Sequence, residues 1–323
     1  MASVRRKLER AEYYARNITR DIVPQFLFRR RLPGILGKAD RYDADYLSQR
    51  VGYYNKLSGP QSVQPYSATI ARIPIDGSMY YYDLKEHARY FPRHFRLNHI
   101  FGDTTVVPDL PSFMKARRIA GDNQNSILLN LDKFRHFDFP ADPIAFRNKK
   151  PIAVWRGAGH NKKRVALLDR WLDHPLCDVG KTDEAPTGRA HRPFLSIADM
   201  MHFRYVISIE GNDVATNLKW IIASNCLCFM PAATCETWFM EGRLQAGVHY
   251  VQLQDDFENL EEKILYYENN LDEALGIIRN ANSFAAQFRD KACERLVSLL
   301  VMYKYLVLTG QLGGDDRILK LTT

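Results

Sequence analysis

The chain has 323 residues, enough for two domains of ordinary size and a sizeable buried core. Hydrophobic residues make up 46% and charged residues 25%, a globular balance that excludes a disordered or fibrous chain. No run approaches the ~18 consecutive apolar residues of a membrane span, and the charged start MASVRRKLERAEYYARN lacks the apolar stretch of a secretory signal. A cytoplasmic protein is therefore expected, with five sparse cysteines kept as free thiols.

The net charge of +8 is unevenly placed. Arg5, Arg6, Lys7, Arg10, Arg16, Arg20, Arg29, Arg30, Arg31 and Lys38 face only Glu9, Glu12 and Asp21, so nearly the whole excess lies near the N-terminus. Phe26, Leu27, Phe28, Leu32, Ile35 and Leu36 are interleaved with those cations. Such a mix suits an anionic membrane surface, and the protein is expected to sit peripherally on the cytoplasmic face of the inner membrane. The plainer alternative is a solvated helix packed on the body. No nucleic-acid-binding module is present, so nucleic acid is not expected as a partner.

In chain order, residues 3–20 read as a helix, with Pro24 and Pro33 bracketing a break. SATIARIPI and SMYYYDL read as two β-rich runs around a glycine turn, and NSILLNL as a further strand. The stretch DFPADPIAFRNKKP concentrates Pro and charge and marks the domain boundary. Beyond it, PIAVWRG reads as a strand, NKKRVALLDRWLD as a helix and RYVISIEG as a strand. DVATNLKWIIASN follows as a helix capped by Asp213, and CLCFMP and HYVQL as strands. Alternation of this kind predicts a parallel sheet with crossover helices. Cys226 and Cys228 read as small apolar residues of a buried strand rather than metal ligands. Residues 285–308 form one more long helix.

Two strand-to-helix turns carry the chemistry. In the first, Arg156, Gly157 and Arg164 combine free backbone N–H groups with guanidinium forks that match phosphate oxygens. In the second, Gly211, Asp213, Val214, Ala215 and Asn217 lead to Lys219, whose long stem can reach an anion at the helix start. Each turn can equally be an ordinary glycine turn with surface cations, and neither fits the lysine phosphate loop or the dinucleotide fingerprint. A third segment, TCETWFMEGRL, places acids around an aromatic pair. That arrangement suits sugar or ribose hydroxyls, or simple helix packing.

The run VISIEGNDVATNLKWIIASNCLCFMPAATCETWFMEGRLQAGVHYVQL, preceded by VWRGAGHNKKR, resembles glycosyltransferase family 90. The segments RVGYYNKL, PSFMKARRI and NSILLNLDKFRHF resemble its bacterial lipopolysaccharide-core branch more than its protein O-glucosyltransferases. The resemblance implies an α/β, GT-B-like fold with two Rossmann-like domains facing a central cleft. It also implies a UDP-sugar donor, a glycan or glycolipid acceptor, inversion at the anomeric carbon and no required metal or other cofactor. Residues 1–60 would form a basic lead, 61–148 the acceptor domain, 149–284 the nucleotide-sugar domain, and 285–323 a helix packing back on the body.

By that resemblance Arg156, Gly157, Arg164 and Lys219 lie at the donor phosphates, and Glu236, Trp238, His249 and Tyr250 around the donor pocket. Asn217 stands where the O-glucosyltransferases carry an arginine, and Arg118 where they carry an aspartate thought of as base. The base must then come from elsewhere: Asp103 is the first choice, with Asp122 and Asp109 as rivals. Lys115, Arg117 and Arg118 suit an anionic acceptor. The rival readings are a polyanion-binding protein without activity and a lectin of the same fold.

Overall fold

A computed structural model of the chain describes residues 2–64, 66–182 and 188–322. Its first elements are α1 (Ala2–Ile22), α2 (Gln25–Leu36), α3 (Ala44–Tyr54), β1 (Ala68–Thr69), α4 (Met79–Ala88), β2 (Arg96–Ile100), β3 (Ser112–Met114), β4 (Ala116–Arg118), β5 (Ser126–Leu128) and α5 (Lys133–His136). Then follow β6 (Lys150–Gly157), α6 (Lys162–Trp171), β7 (Cys177–Lys181), α7 (Ile197–Met200), β8 (Phe203–Ile207), α8 (Leu218–Ile222), β9 (Leu227–Met230), β10 (Cys235–Thr237) and β11 (Val251–Gln252). The chain closes with α9 (Leu260–Asn269), α10 (Leu271–Ala286), α11 (Lys291–Leu308) and α12 (Asp316–Leu319). These elements form two units, Met1–Phe134 with Phe288–Thr323, and Arg135–Gln287. The first division thus precedes the Pro-rich stretch at 138–151, and the C-terminal helix belongs to the first unit rather than forming a segment of its own.

The second unit is mixed α/β. Among its described residues a five-stranded sheet runs β11-β9-β8-β6-β7, and every pairing is parallel. Its strands are short apolar runs, with Ala153, Val154, Trp155, Tyr205, Val206, Leu227 and Phe229 buried, because helices cover the sheet. Leu167, Leu168 and Trp171 of α6, Leu260 and Ile264 of α9, and Ile277 and Ile278 of α10 share one core with those strands. Numbered within this sheet, the strand order is 2-1-3-4-5, the doubly wound order that places ligands where it reverses. That reversal lies between β6 and β8.

The first unit has a sheet ordered β1-β2-β3-β5, with β2, β3 and β5 parallel and β1 antiparallel at the edge. Among the described residues its parallel strands are joined by irregular segments and the short strand β4 rather than by crossover helices. The organising element is α11, whose residues Leu296–Leu306 are all buried and which packs on α3 and α4. Within this packing the Arg50 guanidinium, 0% exposed, donates to Glu294 Oε1 at 2.7 Å and to the Tyr54 hydroxyl at 2.7 Å.

Local propensity misleads in four places. SMYYYDL is the helix α4, because Ser78 accepts the Tyr81 N–H as a cap and Tyr81, Leu84 and Ala88 bury one face. Pro33 lies inside α2 near its end, where one lost hydrogen bond is tolerated. The helix expected from Asp213 begins only at Leu218, with Asn217 rather than Asp213 at its N-cap position. The strand β7, with its Asp and Gly, has weak β character and forms through pairing with β6 from Ala153–Cys177 to Gly157–Lys181. Cys226 and Cys228 are buried and free, at and within β9.

Replacing Glu294 with Ala leaves the Arg50 charge buried without its carboxylate. It is expected to lower stability by about 3–5 kcal/mol, read as a fall in the urea midpoint.

Candidate functional site

The site is built where β6 and β8 end side by side. After Gly157 the chain turns into α6, whose cap Asn161 accepts the Lys163 N–H at 2.9 Å. The same Asn161 side chain donates to the Gly211 carbonyl at 3.1 Å, beyond the end of β8. Arg164, on the first turn of α6, makes a second bridge. Its Nη1 donates to the Ala158 carbonyl at 3.2 Å and its Nη2 to the Ile209 carbonyl at 3.1 Å. Two junctions distant in sequence are thus tied into one edge.

Two glycines make room for that arrangement. A Cβ on Gly157 would lie 2.8 Å from the Trp155 indole, which folds back over it and carries the Arg164 guanidinium 5.9 Å from its ring centre. A Cβ on Gly211 would lie 3.1 Å from Arg164 Nη2.

Beside this edge, at the carboxyl ends of β8 and β9, lies a pocket with about 330 Å³ of empty space. Lys163, Glu210, Val214, Ala215, Met230 and Glu241 are among its walls. Glu210 shapes it by accepting the Thr234 N–H at 2.8 Å, the Thr234 hydroxyl at 2.6 Å and the Cys235 N–H at 3.0 Å. Glu241 accepts the Lys219 ammonium at 2.5 Å and the Thr237 N–H at 2.6 Å. Lys163 reaches Asp255 at 2.8 Å from the pocket's edge. Its apolar walls and few convergent charges are the usual make-up of a small-ligand site. Among the described residues, no group of three or more His, Cys, Asp or Glu side chains is placed to hold a metal ion.

Of the residues read as donor-binding, Arg164, Gly211, Val214 and Ala215 come together here. Six others are placed differently. Arg156 turns sideways along the sheet: its Nη1 donates to the Asp178 carbonyl at 2.8 Å, its Nη2 to the Asp178 carboxylate at 2.7 Å, and its Nε to Pro193 O at 3.0 Å. It ties β6 to β7. Lys219 is 0% exposed, and its ammonium is spent on Glu241. Asn217 donates to Ile207 O at 3.0 Å and closes the end of β8. Asp213, Glu236 and Trp238 are buried and do not line the pocket. His249 accepts the Gln245 N–H at 3.0 Å within its own turn, with Tyr250 buried beside it. Lys163 and Glu210 carry no sequence signal beyond their place next to Arg164 and Gly211, whereas Glu241 is one of the two acids that flank the aromatic pair of TCETWFMEGRL.

In the first unit the three carboxylates separate clearly. Asp109 and Asp122 are exposed turn residues, and Asp122 accepts the Gln124 N–H at 3.3 Å. Asp103, about one-third exposed, is held by the Tyr80 hydroxyl at 2.6 Å and by the Lys115 ammonium. The cations read as acceptor-binding are corrected in part. Lys115 is buried on Asp103. Arg117 is fully buried and donates to the carbonyls of Tyr53, Tyr54 and Ser126, so it braces the core. Arg118 alone of the three is exposed.

With this geometry in place, comparison with known proteins is direct. Residues 136–307 match the family model of Glycosyl transferase family 90, a stretch that takes in the whole five-stranded sheet. The chain is 44% identical to O-glucosyltransferase LpsA of Dichelobacter nodosus over 308 residues, covering 94% of this chain and 97% of that protein. It is 27% identical to Protein O-glucosyltransferase 2 of Danio rerio over 139 residues, covering 41% of this chain and 27% of that protein.

Gly157→Ala drives a methyl group into the Trp155 ring. It is expected to lower stability by roughly 1–3 kcal/mol, measured by urea unfolding followed through tryptophan fluorescence.

Proposed function

The chain belongs to glycosyltransferase family 90, and on that premise we propose that it transfers a hexose from a UDP-sugar to a glycan or glycolipid acceptor, with inversion. The observation that carries the donor reading is the Arg164 bridge: it holds a guanidinium beside Gly211 at the point where the order of a parallel sheet reverses. The pocket next to it offers apolar surface from Val214, Ala215 and Met230 and carboxylate acceptors from Glu210 and Glu241 to the nucleoside end of the donor. The two units, each with parallel strands in its sheet, support a GT-B reading in which the second unit holds the donor.

In this mechanism Lys163 and Arg164 face the pyrophosphate. They stabilise the negative charge that grows on it as the glycosidic bond breaks, so the reaction needs no metal ion. Glu210 and Glu241 fix the pocket wall and offer acceptors to ribose or sugar hydroxyls. Arg156 and Lys219 are positioning residues, holding β7 and Glu241 in place. Asp103, oriented by Tyr80 and Lys115, is the carboxylate assigned to take the proton from the acceptor hydroxyl as that oxygen attacks the anomeric carbon. Glucose is the proposed sugar, in keeping with the names of both relatives. The lipopolysaccharide inner core is the proposed acceptor, in keeping with RVGYYNKL, PSFMKARRI and NSILLNLDKFRHF.

Transfer from UDP-glucose, together with the slow hydrolysis that accompanies it, tests the reading. Lys163→Ala and Arg164→Ala are each expected to lower kcat/KM for the donor by about 100-fold or more while the unfolding midpoint of Lys163→Ala stays unchanged. Wild-type turnover by both variants would remove the phosphate assignment. Asp103→Asn is expected to keep donor binding and lose transfer by about 10²–10⁴-fold. Equal activity in that variant would move the base elsewhere.

A further inference from the structure

A second cavity, with about 650 Å³ of empty space, opens in the first unit where the turn between α1 and α2 meets the end of α4. Arg20, Lys85, Arg89 and Arg93 line it, against the single carboxylate of Asp21. The four cations are held to different degrees. Arg89 is buried, donates to Asp21 Oδ1 at 3.0 Å and lies 5.1 Å from the centre of the Phe28 ring. Lys85 spends one of its three protons on the Ile70 carbonyl at 2.6 Å. Arg20 pairs with Glu86 at 3.2 Å. Arg93 is exposed and makes no side-chain hydrogen bond or ion pair among the described residues. Burial lowers the pKa of Lys85, and Arg89 and Arg93 lower it further while Asp21 opposes them. The cavity is therefore a place where an incoming anion gains from several fixed charges at once.

The rim of this cavity is apolar and open to solvent. Ile22 and Val23 line it at 79% and 36% exposure, and Ile18, Phe26 and Leu27 are exposed on either side of the turn. Exposed apolar side chains around a cationic pocket fit one environment well: the headgroup layer of a bilayer, with phosphate at the cations and acyl chains beyond. A soluble phosphate would need the cations but not the rim. Since no helix among the described residues is long and apolar enough to cross a membrane, such contact would be peripheral.

We propose that the α1–α2 turn docks on an anionic membrane, and that the pocket of Arg20, Lys85, Arg89 and Arg93 takes the phosphate of a lipid headgroup. The docking is independent of the transfer reaction, because its residues take no part in the donor site.

Sedimentation of the full chain with vesicles tests this, using phosphatidylcholine alone or mixed with phosphatidylglycerol. Adding phosphatidylglycerol should raise the bound fraction, and Arg93→Glu and Ile22→Asp should each weaken binding by about fivefold or more. Both residues are exposed, so both variants should keep the native unfolding midpoint and native turnover of a soluble acceptor. Salt should weaken binding of the native chain to the mixed vesicles. Equal binding to the two vesicle types, or binding unchanged in both variants, overturns the proposal. Inorganic phosphate separates the sources. If it raises the melting temperature of the native chain but not of Arg93→Glu, while neither vesicle sediments the protein, the pocket serves a soluble phosphate and the membrane assignment falls.

Discussion

The second unit depends on one bridge across the ends of β6 and β8. Arg164 reaches from its own helix to the carbonyl of Ala158 on one side and of Ile209 on the other, and Asn161 adds a parallel tie to Gly211. Strand ends in a parallel sheet expose carbonyls that must find donors. Here those donors are side chains rather than backbone, so satisfying the sheet also sets a cation at its edge. Trp155 and the two glycines follow from the same constraint, since the indole supports the guanidinium and any side chain at Gly157 or Gly211 would displace one of them.

The charged residues around this edge divide into those that face the pocket and those that hold the frame. Arg156 and Lys219 are frame residues, each spent on a carboxylate of a neighbouring segment. Burying such charges is tolerable only because each has a close partner with further hydrogen bonds. Glu241 shows how the two roles meet: it neutralises buried Lys219 on one side and forms part of the pocket wall on the other. Arg117 plays the same framing role in the first unit, collecting three backbone carbonyls.

The first unit combines a sheet of short strands with a helical body gathered on α11. Its charges are also sorted by depth. Arg50 and Glu294 form a buried pair between α3 and α11, Lys115 and Asp103 a pair near the surface, and Arg20 at the end of α1 gathers with Lys85, Arg89 and Arg93 at the end of α4 around an open cavity. Of the basic lead read in the sequence, Arg20 lines that cavity, while Lys7, Arg10, Arg16, Arg29, Arg30, Arg31 and Lys38 are exposed along the helices, as a solvated helical surface would have them. Arg5 and Arg6 fall where no side chain is described.

By itself the sequence determined the alternation of β6, α6, β8, β9 and β11, the buried C-x-C of β9, and the two junctions, because runs of apolar residues ending in Gly carry their own period and punctuation. It also carried the family, through motifs spread over the same stretch. It did not determine α4, whose tyrosines suit a strand until Ser78 caps them and the core takes one face. Nor did it reveal β7, which exists only by pairing with β6. The direction of a long cationic side chain was decided only by tertiary structure. Arg156 and Arg164 lie one helical turn and a loop apart in sequence and look alike. Asp178 on the neighbouring strand claims the first, while the carbonyls of Ala158 and Ile209 claim the second. A flexible side chain goes to whichever partner the folded chain brings within about 3 Å, and sequence spacing does not specify that partner.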